Sequence, residues 1–189
     1  MPLEQGLPKQ PLRFGYVGRI TYIKGLHVLL EALMLLPHDA NYELHIYGDA
    51  ASKSEKKYRE MLKDKSKNLP IFWHGKVEYD EVQQAYYSFD VMILPSICLE
   101  VFGLTVLESL SAGRPVIGTQ CGGPEDTIED GVDSSLVEPN NAEALSQALK
   151  FLLDEPKKVI EMANRIGSVN TLDKHMHDLE KIYKEIASE

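Results

Sequence analysis

The stretch FDVMILPSICLEVFGLTVLESLSAGRPVIG, Phe89–Gly118, reads as strand, loop, helix and strand in immediate succession. Val91–Leu94 is wholly apolar and is stopped by Pro95. Leu104–Ser111 follows as an apolar helix closed by Ala112-Gly113, and Pro115–Gly118 is a second buried strand. Short apolar runs without alternation imply burial on both faces, which marks a parallel sheet. Parallel neighbours need a crossover, and the intervening helix supplies it.

The same alternation extends outward in both directions. Leu12–Val17 reads as a strand ended by Gly18. Lys24–Leu36 carries Leu26, Leu29, Leu30 and Leu33 at helical spacing and stops before Pro37. Tyr42–Tyr47 is a strand ended by Gly48-Asp49, and Ile71–His74 is a strand ended by Gly75. Asp80–Ser88 is helical, with Val82, Ala85 and Tyr86 inward. Asp126–Glu129 is a short helix and Ser135–Val137 a short strand. Ala142–Leu153, Val159–Ile166 and Leu172–Ala187 close the chain as helices. The expected architecture is therefore α/β, a three-layer, doubly wound, Rossmann-like parallel sheet over residues 12–189. Residues 1–11, with three prolines and few apolar side chains, read as a linker or fusion boundary.

Composition narrows the functional classes. The 189 residues suffice for one ordinary domain. With 43% hydrophobic and 26% charged residues, disorder and collagen-like structure are excluded. Lys and Arg number 20 against 29 Asp and Glu, a net charge of −9. That balance disfavours general binding to nucleic acid or anionic membranes. No apolar run approaches the roughly 18–20 residues of a membrane span. The start, Met-Pro-Leu-Glu-Gln-Gly, lacks the regions of a signal peptide. The chain reads as a soluble cytoplasmic domain.

The charge is unevenly spread. Seven basic residues (Lys53, Lys56, Lys57, Arg59, Lys63, Lys65, Lys67) crowd Ser52–Lys67 against three acids. They fall on a helical pattern whose apolar stripe is Tyr58, Met61 and Leu62, so a solvated amphipathic helix is the plainer reading than an anion-binding patch. An anionic ligand must then be held by a few well-placed groups.

Doubly wound sheets bind ligands beyond the carboxyl ends of their strands, so the residues directly after strands carry the functional argument. Arg19 and Lys24 follow the first strand. Arg grips phosphate as a fork and Lys as a point charge, and a helix N-terminus adds positive charge. This arrangement suits a diphosphate clamp; ordinary surface cations are the alternative. Neither GxxxxGK[ST] nor GxGxxG occurs. Glu100 lies in the loop after a buried strand. Glu108 lies on an apolar helix among Leu104, Leu107 and Leu110, where a carboxylate needs a partner. Ionised carboxylates only accept hydrogen bonds and so suit sugar or ribose hydroxyls. Gly103 would let a ligand approach free helix N–H groups. Gly122-Gly123 implies a sharp turn close to something, ligand or protein. Cys98 and Cys121 lack the spacing of a zinc site. Asp173, His175 and His177 read as a solvated helix surface.

These segments together resemble the nucleotide-sugar-binding C-terminal domain of GT-B-fold retaining glycosyltransferases of the family 4 type, glycosyl transferases group 1. The motifs that carry the resemblance are GR…KG at Gly18, Arg19, Lys24 and Gly25, HGKV at His74–Val77, and FDVMILPS at Phe89–Ser96. E-x7-E from Glu100 to Glu108, SAGRPVI at Ser111–Ile117 and GGPED at Gly122–Asp126 complete the set. Any one is weak; their order and spacing are specific. The resemblance implies that Arg19 and Lys24 hold the donor diphosphate and stabilise the departing nucleoside diphosphate, with no metal and no cofactor. It implies that Glu100 binds the hydroxyls of the transferred sugar and Glu108 those of the ribose. Backbone N–H groups at Phe102, Gly103 and Leu104 would meet phosphates or sugar, and main chain at Lys76 and Val77 the base. The donor would be a UDP-, GDP- or ADP-linked sugar.

The sequence departs from the family pattern at Asp126, where glutamate is usual, at Ser135, where glycine is frequent, and at Ile97-Cys98-Leu99, which lacks an aromatic residue. A complete enzyme of this type has two such domains, about 370 residues. The chain thus reads as an excised C-terminal half, inactive without its N-terminal domain, with Met1–Pro11 near the hinge. The acceptor, a sugar, lipid or small molecule, would be bound by that other domain. A non-catalytic nucleotide-sugar-binding module and part of a GT-B-fold sugar-nucleotide epimerase are the alternatives.

Overall fold

A computed structural model describes residues 10–78, 80–167 and 172–187, the last segment with side chains from residue 175. Nine residues of the 1–11 linker reading, and the side chain of Asp173, lie outside the described residues. Six strands form one sheet: β1 (Leu12–Val17), β2 (Tyr42–Tyr47), β3 (Ile71–Gly75), β4 (Val91–Leu94), β5 (Val116–Thr119) and β6 (Ser135–Val137). Their order is β3-β2-β1-β4-β5-β6 and every pairing is parallel. The chain builds outward from β1 to β3, returns to β4 beside β1, and builds outward again. This is the doubly wound arrangement, and β1/β4 is its switch point.

The helices are α1 (Leu26–Met34), α2 (Lys53–Lys65), α3 (Val82–Tyr87), α4 (Leu104–Ser111) and α5 (Gly123–Thr127). They continue with α6 (Ala142–Asp154), α7 (Lys157–Arg165) and α8 (Leu172–Ala187). On one face of the sheet Phe14, Tyr16, Leu44, Ile46, Val91 and Ile93 pack against Leu26, Leu29 and Leu33 of α1 and Leu145 and Leu149 of α6. On the other, Met92 and Leu94 meet Tyr86, Phe89, Val106 and Leu110. β4 is buried along its whole length, as its unbroken apolar run requires. His175 and His177 are exposed on α8, as are Met176, Ile182, Tyr183 and Ile186. Among the described residues no helix is long and apolar enough to cross a membrane.

Several element boundaries differ from the sequence expectation. The helix expected from Lys24 breaks in two: Tyr22–Lys24 forms a 3-10 turn, and α1 begins after Gly25 at φ 68°. A Cβ on Gly25 would lie 1.7 Å from the Pro95 carbonyl oxygen, so the close approach of these two loops sets the break. β5 starts at Val116, because Pro115 has no N–H and only accepts, from Met92 N–H at 2.9 Å. α5 runs Gly123–Thr127 rather than Asp126–Glu129, with Pro124 in its first turn, where a missing N–H costs little. On α2 only Leu62 is buried, and Met61, expected on the apolar stripe, is exposed.

Candidate functional site

The ends of β1, β2 and β3 are laced together by glycine backbone. Gly18 N–H donates to Tyr47 O at 3.0 Å, and Gly48 N–H to Gly75 O at 2.7 Å. A Cβ on Gly48 would fall 1.8 Å from Gly18 O, so no larger residue fits this crossing. The lacing floors a cavity of about 550 Å³ beyond the carboxyl ends of the strands. Gly18, Arg19, Lys76 and Val77, four of the residues singled out in the sequence, line it together. Val17, Tyr47, Ala50 and Val82 supply apolar and aromatic wall, and Asp49 and Lys56 supply charge. Lys56 comes from the basic helix that reads as merely solvated; the sequence marks it no differently from its basic neighbours, and only the fold sets it beside the cavity.

Arg19 is exposed and, among the described residues, makes no ion pair. Its backbone is anchored, since Tyr16 Oη donates to Arg19 O at 2.7 Å. Lys24 reaches across the switch point from the loop after β1 to the loop after β4. Its Nζ donates to Glu100 Oε1 at 2.5 Å. The two loops are also joined by Ile97 N–H donating to Ile23 O at 2.9 Å. The Ser96 hydroxyl, fully buried, donates to the same Glu100 oxygen at 2.5 Å. Burial pushes the Glu100 carboxyl up, but the hydrogen bonds from Lys24 and Ser96, with the charges of Lys24 and Arg19, outweigh it. The carboxyl is held below its ordinary value and stays ionised.

The Glu100 loop is fixed against β5. Glu100 N–H donates to Cys121 O at 2.7 Å, and Gly123 N–H to Glu100 O at 2.8 Å. A Cβ on Gly123 would lie 2.7 Å from the Phe102 backbone, so the turn at Gly122-Gly123 is tight against protein. Gly103 opens α4 at φ 69°. Phe102 and Leu104 are exposed on either side of it, with Leu99 and Val101. The expected apolar setting of Glu108 does not hold: Val106, Ser109 and Leu110 are the buried face of α4, and Leu104 is 65% exposed. Glu108 still has a partner, for Tyr86 Oη donates to its Oε2 at 2.7 Å. Tyr86 stands one turn after the cavity-lining Val82 on α3, a link that sequence spacing does not reveal. Among the described residues no group of three His, Cys, Asp or Glu side chains is placed to hold a metal ion, and Cys98 and Cys121 are free thiols.

The family profile of glycosyl transferases group 1 matches residues 3–170. The chain belongs to this family. Over 168 residues it is 33% identical to the sulfoquinovosyl transferase SQD2 of Arabidopsis thaliana, covering 86% of this chain and 31% of that protein. Among solved structures it is similar to the C-terminal domain of a glycosyl transferase group 1 family protein, LpcC, from Francisella tularensis. That similarity has a TM-score of 0.74 at 25% identity, over 82% of each chain. It shares its fold with Anabaena Alr3699/HepE, solved in complex with UDP and glucose, at a TM-score of 0.76 and 20% identity, over 94% of this chain and 48% of that one. The chain spans about a third of the length of the curated relatives it matches first.

Proposed function

We propose that this chain is the donor-binding half of a retaining, metal-independent glycosyltransferase that transfers a hexose-type sugar from a nucleoside-diphosphate sugar. The observation that carries the reading is the junction of two features at one sheet edge. A nucleotide-sized cavity bears Arg19, which makes no ion pair among the described residues, and the Lys24–Glu100 ion pair lies across the adjoining switch point. The HepE neighbour of the same fold binds UDP and glucose, which supports a nucleotide-sugar ligand for the same architecture.

In this reading the base enters the cavity beside the Lys76-Val77 main chain, and Glu108, steadied by Tyr86, accepts from the ribose hydroxyls. Arg19 and Lys24 bind the diphosphate, assisted by N–H groups at Phe102, Gly103 and Leu104 and by Gly18, which gives the chain room to approach. Glu100 accepts from the hydroxyls of the transferred sugar. As the glycosidic bond breaks, negative charge grows on the leaving diphosphate, and the two cations stabilise it. With a net charge of −9, the domain must rely on these local groups to hold an anion. Retention of configuration rests on the family resemblance of the motifs. The acceptor belongs to a facing domain, so the chain alone binds donor and transfers little.

A thermal-shift and calorimetry panel of UDP, GDP and ADP tests this. One of them should raise the melting temperature, and Arg19→Ala should weaken its binding by about tenfold or more, the worth of a charge-assisted hydrogen bond to phosphate. No binding of any of the three, with Arg19→Ala indistinguishable from the unaltered chain, overturns the reading.

A further inference from the structure

We propose that Ser96, fully buried at the end of β4, is a positioning residue that aims Glu100 at the donor sugar. The inference rests on the donor-binding reading for the role of Glu100, and on geometry for the role of Ser96. Glu100 Oε1 receives both the Lys24 ammonium and the Ser96 hydroxyl, each at 2.5 Å. Among the described residues Oε2 has no hydrogen-bond partner. One oxygen is therefore committed to protein, and the other keeps its acceptor capacity for hydroxyls of the ligand.

Lys24 alone could not define this division. Its side chain is long, rotatable and also needed by the diphosphate. When phosphate oxygens draw the ammonium, Ser96 is the group that still holds Oε1. Its own placement is rigid. Ser96 is 0% exposed, and Thr119, 2% exposed on β5, donates its hydroxyl to Ser96 O at 2.6 Å. The relay Thr119, Ser96, Glu100 thus transmits the position of the adjacent strands β4 and β5 to one carboxylate oxygen. A Ser hydroxyl has one proton, and at Ser96 it is given to Glu100, which favours the ionised carboxylate.

The test uses the chain with Glu carboxyl groups labelled with carbon-13. The Glu100 titration is followed by NMR in the unaltered chain, Ser96→Ala, Ser96→Thr and Ser96→Cys. Calorimetry then compares whichever of UDP, GDP or ADP binds with its glucose conjugate. In Ser96→Ala the Glu100 titration should move to higher pH, and preference for the glucose conjugate should fall by about tenfold, as expected for losing one hydrogen bond to a charged group. Affinity for the bare nucleoside diphosphate should stay within about twofold, and Ser96→Thr should restore both readouts. A merely structural role would lower stability and leave the titration in place. If Ser96→Ala does not fold, Ser96→Cys, near in size and a weak donor, carries the same titration test. An unmoved Glu100 titration in the folded variant overturns the proposal. Failure of the unaltered chain to bind any nucleotide overturns the donor-binding reading instead, and the titration still decides whether Ser96 orients Glu100.

Discussion

Gly25 is the hinge on which the clamp geometry depends, and its replacement by alanine gives a prediction with an internal control. Gly25 has φ 68°, and a Cβ there would lie 1.7 Å from Pro95 O and 3.2 Å from the Ile97 side chain. Gly131 has φ 73° with nothing within 4 Å of its Cβ position. Both alanine variants incur the left-handed backbone penalty of about 1–2 kcal/mol, reduced by the about 0.4–1 kcal/mol that alanine contributes by restricting the unfolded chain. Gly131→Ala should therefore cost about 0.5–1 kcal/mol. At Gly25 the obstacle is a backbone carbonyl that cannot rotate away. An ordinary C···O approach needs about 3.3 Å, so the start of α1 and the end of β4 must separate. Overpacking of this kind adds about 1–3 kcal/mol, for a total of about 2–4 kcal/mol. The assay is urea denaturation followed by circular dichroism. With a slope of about 2 kcal/mol per M, the midpoint should fall by about 1–2 M for Gly25→Ala and by under about 0.5 M for Gly131→Ala. The separation also displaces Lys24, which the proposed diphosphate site needs, so nucleoside diphosphate affinity should fall in Gly25→Ala alone. Equal midpoints for the two variants would refute the claim that the 18–25 loop is held against the Pro95 carbonyl.

Two further outcomes follow from the same structure. Asp90 is 1% exposed and accepts from Arg13 N–H, Nε and Nη2 at 3.0, 3.2 and 2.8 Å, so Asp90→Ala leaves an unpaired guanidinium. Because Arg13 keeps 30% of its side chain in water, the loss should sit at the low end for a broken buried pair, about 3 kcal/mol, measured by denaturant titration. His27 is half-buried, accepts or donates at 2.8 Å with Tyr58 Oη, and stacks on Tyr22. Burial lowers its pKa below the ordinary 6.5, with Lys65 adding to the effect and Glu31 opposing it. The unfolded chain then binds this proton more readily, so the stabilisation is present above 6.5 and is lost as pH falls through the lower folded value. NMR titration should place His27 below 6.5, and stability should decline less steeply with acidification in His27→Gln than in the unaltered chain. A His27 that titrates at or above 6.5 contradicts the burial argument.

Much of the fold was legible in the chain because its signals are local. The β1, β4 and α4 ranges follow directly from apolar runs and from the Gly or Pro that stops them, β2 from its alternation before Gly48, and the short β6 range also holds. Position after a strand was enough to single out Gly18, Arg19 and Lys76, since a doubly wound sheet gathers all such loops at one edge, while Val77 came only with the family resemblance. What local pattern could not show was partnership between distant segments. Nothing near Lys24 in sequence announces Glu100, 76 positions away. Nothing near Glu108 announces Tyr86, and Lys56 is indistinguishable in sequence from its solvated basic neighbours.

The division has a physical basis. Hydrophobic periodicity, proline and glycine act within a few residues, so the sequence by itself determined the alternation of strands and helices, the parallel sheet and the edge that carries the motifs. Hydrogen bonds between loops act across whatever the crossovers bring together. Only the tertiary structure decided that Gly25 must pass beside the Pro95 carbonyl, and that Ser96 and Lys24 share one oxygen of Glu100. The same holds for the Glu100 backbone, locked to Cys121 and Gly123. Each of these depends on the strand order 3-2-1-4-5-6, which sets β1 beside β4 and β4 beside β5 and so turns three separate loops into one site.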